Sequence, residues 1–204
     1  MQFQKIAAYC GIIGPSMFGA TLAILTLLEY DFMLGLGWRP LQVIDWPSGL
    51  ALGPHGLWLT VVFILSGLLM AIFALGLRGA LRNETAPRTG TLSLLLAGFA
   101  LAGLAFPTDP TFRSTPKTWH GLLHDTFFVL LGLALLTSML TLGRAFQTDS
   151  RWRGFGIYTF VTAAFALPSF AMKGIAFYLF LGAILAWAFV IAIKLLSLSH
   201  QVRD

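Results

Sequence analysis

Six stretches without one charged side chain dominate this sequence and settle which solvent it can fold in. The first, residues 6–28, holds 23 residues, and at about 1.5 Å per helical residue it crosses a hydrocarbon core of about 30 Å. Further uncharged runs follow at 56–77, 89–106, 126–143, 154–172 and 174–193, and the fourth extends back to near Trp119. None alternates with the two-residue period of a membrane barrel, and only helices or closed barrels satisfy every backbone group in lipid. The expected fold is therefore all-α, a six-transmembrane-helix bundle forming a single integral membrane domain over 1–204. Its helices are expected at about 6–28, 56–77, 89–106, 119–143, 154–172 and 174–196, with an outer loop at 29–55.

Composition agrees. Of 204 residues 57% are hydrophobic and 10% charged, whereas soluble domains carry roughly 25% charged residues. A disordered chain, a collagen-like fibre and a disulfide scaffold are excluded, the last because Cys10 is the sole cysteine. The net charge of +5 does not imply nucleic acid, since the basic residues are scattered between apolar runs rather than clustered on one face.

Topology explains those cations better. Lys5, Arg78, Arg82, Arg88, Arg144, Arg151, Arg153, Lys194 and Arg203 fall on the side of both termini, against Arg39, Arg113, Lys117 and Lys173 opposite, and nine against four places both termini in the cytoplasm. The first run is too long for a leader's h-region and reads as a retained helix. Trp38, Trp46 and Trp119 suit an outer aromatic belt and Trp152 an inner one. Pro168 is expected to end the fifth helix early, with a short outer turn after it. Gly19/Ala23, Gly98/Ala102 and Gly182/Ala186 have the spacing that lets helices cross closely. The long outer loop, rich in Trp and Pro, is expected to lie across the bundle.

The polar side chains gather at one depth. His55 opens the second helix, Asp109 follows the third within Phe106-Pro-Thr-Asp-Pro110, and the fourth begins Trp119-His-Gly-Leu-Leu-His-Asp125. His120 and His124, four apart, share a helix face, a spacing by which two imidazoles chelate one metal. His55 and Asp109 would complete such a set, and Asp125, about 100° away, would orient a ligand or pair with His55 or Lys173. A divalent metal is thus the cofactor these residues would take. A bis-histidine haem on His55 and His124 has less support. The competing reading is structural: Asp109 makes a turn, His120 and Trp119 anchor a helix, and Asp125 pairs with a cation. No His-Glu-x-x-His, Gly-x-Ser-x-Gly or Walker motif is present. No charge lies near the midplane of any run, where transporter coupling sites sit.

Gly11-Ile-Ile-Gly-Pro15, the segment 63–69 running on to Gly76-Leu-Arg78, the Phe106–Pro110 turn and His120-Gly-Leu-Leu-His-Asp125 occur in this order. On these motifs the chain resembles family 998 of the domains of unknown function, multi-pass membrane proteins of bacteria and archaea. The resemblance implies the fold and topology and no reaction, and it carries the family's polar positions onto Asp109, His120, His124 and Asp125.

Two functions follow as expectations. The first is a non-catalytic accessory or binding component of the cell (inner) membrane, packing against lipids or other integral membrane proteins. The alternative is an outward-facing metal-dependent hydrolase or lipid-modifying enzyme, with His55, His120 and His124 on the metal and Asp109 or Asp125 as general base. Both place the His/Asp cluster on the extracytoplasmic side.

Overall fold

The computed structural model describes residues 2–39, 46–81, 85–110, 116–170 and 172–201. Arg82, Arg113, Arg203, Pro40 and Asp45 lie outside the described residues. Among the described residues there are helices and no strands. The long helices are α1 (Gln2–Leu28), α3 (Gly56–Ala80), α4 (Thr85–Gly103), α5 (Trp119–Thr148), α6 (Phe155–Ala166) and α7 (Ile175–Gln201); a short α2 (Tyr30–Gly35) follows α1.

Each long helix packs on the next in sequence, and α7 returns to pack on α1, so the six form a closed ring. Consecutive packing is what short connections between apolar helices enforce. Two contiguous cores fill it. One, around Phe73, Phe146, Trp152, Trp187 and Ile191, occupies the end that holds the chain's N-terminus. The other, around Phe18, Leu22, Trp38, Leu50, Leu59 and Phe63, occupies the end that carries the histidines. Met70 and Leu131 pack against both.

Four helices are long and apolar enough to cross a membrane: α1, α3, α5 and α7. The other two expected spans fall short for visible reasons. The α4 helix begins with Thr85, Pro87, Arg88 and Thr89, which dilute its apolar run. The α6 helix stops at Ala166 after 12 residues, about 18 Å of rise, because Pro168 has no N–H to continue the ladder. A 3-10 turn, Leu167–Phe170, follows as the early-ending helix requires. At its other end α6 is entered through Gly154 at φ 88°, a left-handed conformation that costs glycine least.

The described parts of the long connection after α1 fold back onto the bundle. Met33, Leu36, Trp38 and Leu50 are buried in the core at the histidine end, and a 3-10 turn at Pro47–Leu52 packs on α3 and α1. Burial of Trp38 corrects its expected role in an aromatic belt. The same holds for Trp152, which is 0% exposed and stacked on Phe146 at 4.6 Å; Trp119, 69% exposed, does stand at the surface. Of the three small-residue pairs, Gly98/Ala102 marks a close crossing. A side chain at Gly67 of α3 would run into the Gly98 carbonyl and, at 2.8 Å, the Ala102 methyl. Gly182 has nothing within 4 Å.

Candidate functional site

The histidine end is built from two corners and a cleft between them. At the first corner Glu29 ends α1 and His55 begins α3. The Glu29 carboxylate, 3% exposed, accepts the backbone N–H of His55 at 2.9 Å and lies 2.6 Å from its ring Nδ1. Gly53 leaves room for this pair, since a Cβ there would stand 2.7 Å from Glu29 Oε2. The interaction joins the two ends of the long connection.

The second corner joins α4 to α5. Thr118 caps α5, its Oγ1 accepting the Gly121 N–H at 3.1 Å and donating to Asp109 Oδ1 at 2.8 Å. Asp109 Oδ2 takes the Thr118 N–H at 2.8 Å. Its carboxylate therefore lies over the first turn of α5, where the helix dipole favours negative charge, and only a glycine at 121 leaves it space. Burial alone would raise the Asp109 pKa, but the Thr118 hydroxyl and amide, with His120 and Lys117 nearby, hold it below the usual carboxylate value.

Both imidazoles of α5 turn to the same connection and are spent on its backbone. His120 Nδ1 lies 3.0 Å from the Pro107 carbonyl, and His124 Nδ1 lies 3.1 and 2.8 Å from the carbonyls of Leu104 and Phe106. A carbonyl only accepts, so each Nδ1 carries a proton and donates it. The last carbonyls of α4 are bonded by the backbone N–H groups of Leu104, Ala105 and Phe106, and the imidazoles serve the carbonyls of the connection beyond it.

Asp109, His120 and His124 thus meet around one connection, while His55, expected in the same set, is held apart by Glu29. Among the described residues no three His, Cys, Asp or Glu come together in a way that could hold a metal ion. Asp125 pairs with Lys117, and not with His55 or Lys173 as expected. Both are half-exposed. Glu29 was legible only as a loop acid. Its signal is positional: it is the first charge after the opening uncharged run and faces a histidine at the start of the next.

Between the corners lies an apolar cleft. Three adjoining cavities of about 60, 90 and 80 Å³ are all lined by Leu131 of α5 and Leu181 of α7. The cleft runs from Cys10, Phe73 and Ala188 at its deep end to Phe63, His124 and Leu104 at the other, where Trp46 and Pro47 roof it. Trp46 sits on Phe128 and Phe177 at 5.1 and 5.2 Å, and the Lys173 ammonium lies 5.3 Å from its ring centre. The cleft exists because α5 and α7 are bridged by the short α6 and do not pack on one another.

An all-helical chain with four membrane-length apolar helices, and polar side chains drawn to one end, defines a class of helical membrane protein. Within it, the chain belongs to the family described as protein of unknown function (DUF998), whose model matches residues 15–194. No curated protein and no solved structure matches the chain.

Proposed function

We propose that this is a non-catalytic binding or accessory component of the cell membrane, a single six-span domain with both termini in the cytoplasm and the histidine end outside, which packs against lipids or other membrane proteins. The observation that carries the reading is the contrast between the two parts of the site. Among the described residues the acids at this end are paired, Glu29 with His55, Asp109 with Thr118 and Asp125 with Lys117, and each α5 imidazole gives its Nδ1 to backbone carbonyls. The space left over is apolar. The short α4 and α6 are supplemented at the histidine end by the turns at Leu104–Phe106 and Leu167–Phe170, so six crossings remain compatible with their lengths.

Metal analysis and native mass spectrometry of the full chain, extracted in mild detergent, test this. The expected result is a bound lipid or membrane protein in stoichiometric amount, retained when His120 and His124 are both changed to Ala. A stoichiometric metal lost in that double variant, together with a hydrolytic activity lost with it, would replace this reading by the enzyme. Cysteines introduced singly at Ser150 and Trp119 would report topology, with labelling of intact cells expected at 119 alone.

A further inference from the structure

We propose that Arg78 and Arg88 hold the phosphate of an anionic phospholipid at the seam between α3 and α4, in the leaflet at the chain's N-terminal end. The site lies outside the cleft and at the opposite end from the histidines. It deepens the lipid-binding part of the proposed role and rests on it.

The level of the pair follows from a backbone contact. A Cβ on Gly98 of α4 would stand 2.7 Å from the Gly67 carbonyl of α3 and 2.9 Å from the Ala71 amide nitrogen, so the two helices touch there. Gly67 is the twelfth of the 25 residues of α3, which puts the contact at mid-height of that span. Arg78 follows Gly67 by 11 residues and Arg88 precedes Gly98 by 10, about 16 and 15 Å along the two axes. Half of a hydrocarbon core about 30 Å thick is about 15 Å, so both arginines stand where the phosphates begin. The polar start of α4, Thr85 to Thr89, falls at the same level.

Their direction follows from the helical turn. At about 100° per residue Arg78 returns to within about 20° of the face that carries Gly67, the face turned to α4. Arg88 lies about 80° round from Gly98, on the outer side that carries the exposed Leu92, Leu96 and Phe99. The exposed Leu68 and Leu75 of α3 lie on the matching outer side. Two exposed arginines therefore crown a strip of hydrocarbon that runs down the seam toward the bilayer centre.

Charge names the occupant. Among the described residues neither arginine has an acidic partner, and the described acid at this end, Asp149, is bonded to Arg151. Two like charges at one level, one of them in the first turn of α4 where the helix dipole disfavours a cation, are costly alone and favourable around an anion. Guanidinium forks bind phosphate oxygens bidentately, which fixes geometry as well as charge. A phosphate carried on acyl chains matches both parts, its head between the forks and a chain along Leu75, Leu92 and Phe99. A soluble phosphate would match the forks alone.

The test places the full chain in nanodiscs of equimolar phosphatidylcholine and phosphatidylglycerol and reads retained lipid by native mass spectrometry after release into mild detergent. Phosphatidylglycerol should be enriched. Arg78→Gln and Arg88→Gln should each lower the enrichment about fivefold, the factor that about 1 kcal/mol per cation gives. Arg153→Gln, which removes an exposed cation at the same end but before α6, should leave it unchanged. A phosphatidylglycerol with a diazirine on its acyl chain should label Leu75 and Leu92 above Ile157 and Val161, exposed positions on α6. Equal losses from all three glutamine variants, or equal label on the two sets, would mean a diffuse surface charge and overturn the inference. So would displacement of the phosphatidylglycerol by millimolar inorganic phosphate, which assigns the pair to a soluble anion. A stoichiometric protein partner with no lipid enriched would sink this inference and leave the binding role standing; the metal-dependent activity described above would sink the role itself.

Discussion

The carboxylate of Glu29 receives both the main-chain N–H of His55 and its ring nitrogen, across a connection of 25 intervening residues. It does so while almost fully buried, so the bond sets where α1 ends against α3. Glu29→Ala takes the acceptor from the half-exposed His55, and a lost hydrogen bond of this kind costs about 0.5–1.5 kcal/mol. Thermal unfolding in detergent should show that loss. Glu29→Gln keeps an acceptor oxygen and is expected to lose less. Gly53→Ala should also destabilise, because its methyl enters the carboxylate's space.

Asp109 supplies a pH dependence with a definite sign. Its folded pKa lies below the unfolded value of about 3.9. The linked stability is then fully present above that unfolded value and drains away as pH falls toward the folded one. The junction between α4 and α5 is expected to loosen in acid, read as faster hydrogen exchange at Thr118 and Gly121. Asp109→Asn should remove the acid dependence while leaving α5 helical, and Thr118→Ala should cost about 1 kcal/mol as a lost cap.

Deep in the bundle Trp187 Nε1 donates to Thr159 Oγ1 at 3.0 Å, and that hydroxyl donates to the Phe155 carbonyl at 2.7 Å. This is the described side-chain hydrogen bond between α6 and α7, and both residues are 0% exposed. Thr159→Val keeps the shape and removes the acceptor. Interhelical bonds in membranes average about 0.6 kcal/mol with a maximum near about 1.7, so a double-mutant cycle with Trp187→Phe should return a coupling in that range. A coupling near zero would mean the indole is held by packing alone.

What could be read from residue order follows physical range. Six apolar runs and the shared depth of Asp109, His120 and His124 are local properties, and the ring and the corner at α4–α5 follow from them. The partner of each polar group is not local. Asp125 has Lys117 eight positions away in an irregular segment, and His55 has Glu29 beyond the whole outer connection. The tryptophans misled for a related reason. Trp38 and Trp152 stand at span ends where a belt would lie, but α2 and the turn at Ser150–Trp152 fold inward and carry the rings into the two cores. The cleft has no sequence signature at all, since it arises from the mismatch in length between α6 and its neighbours.

Small residues show the same limit and allow a direct comparison. Gly67 and Gly182 both sit in apolar helices, yet a Cβ on Gly67 would stand 2.6 Å from the Ala102 amide nitrogen while one on Gly182 meets open space. The same Gly→Ala change therefore has opposite consequences. At Gly67 it forces α3 and α4 apart and should cost about 1–3 kcal/mol, the range for overpacking a tight site. At Gly182 it removes a flexible helix position at no steric expense and should be neutral or stabilising by up to about 1 kcal/mol. Melting temperatures of the two variants, measured in one detergent, decide the matter. If Gly67→Ala melts with the parent, then α3 and α4 are not held at backbone contact and the ring is looser than its crossings imply.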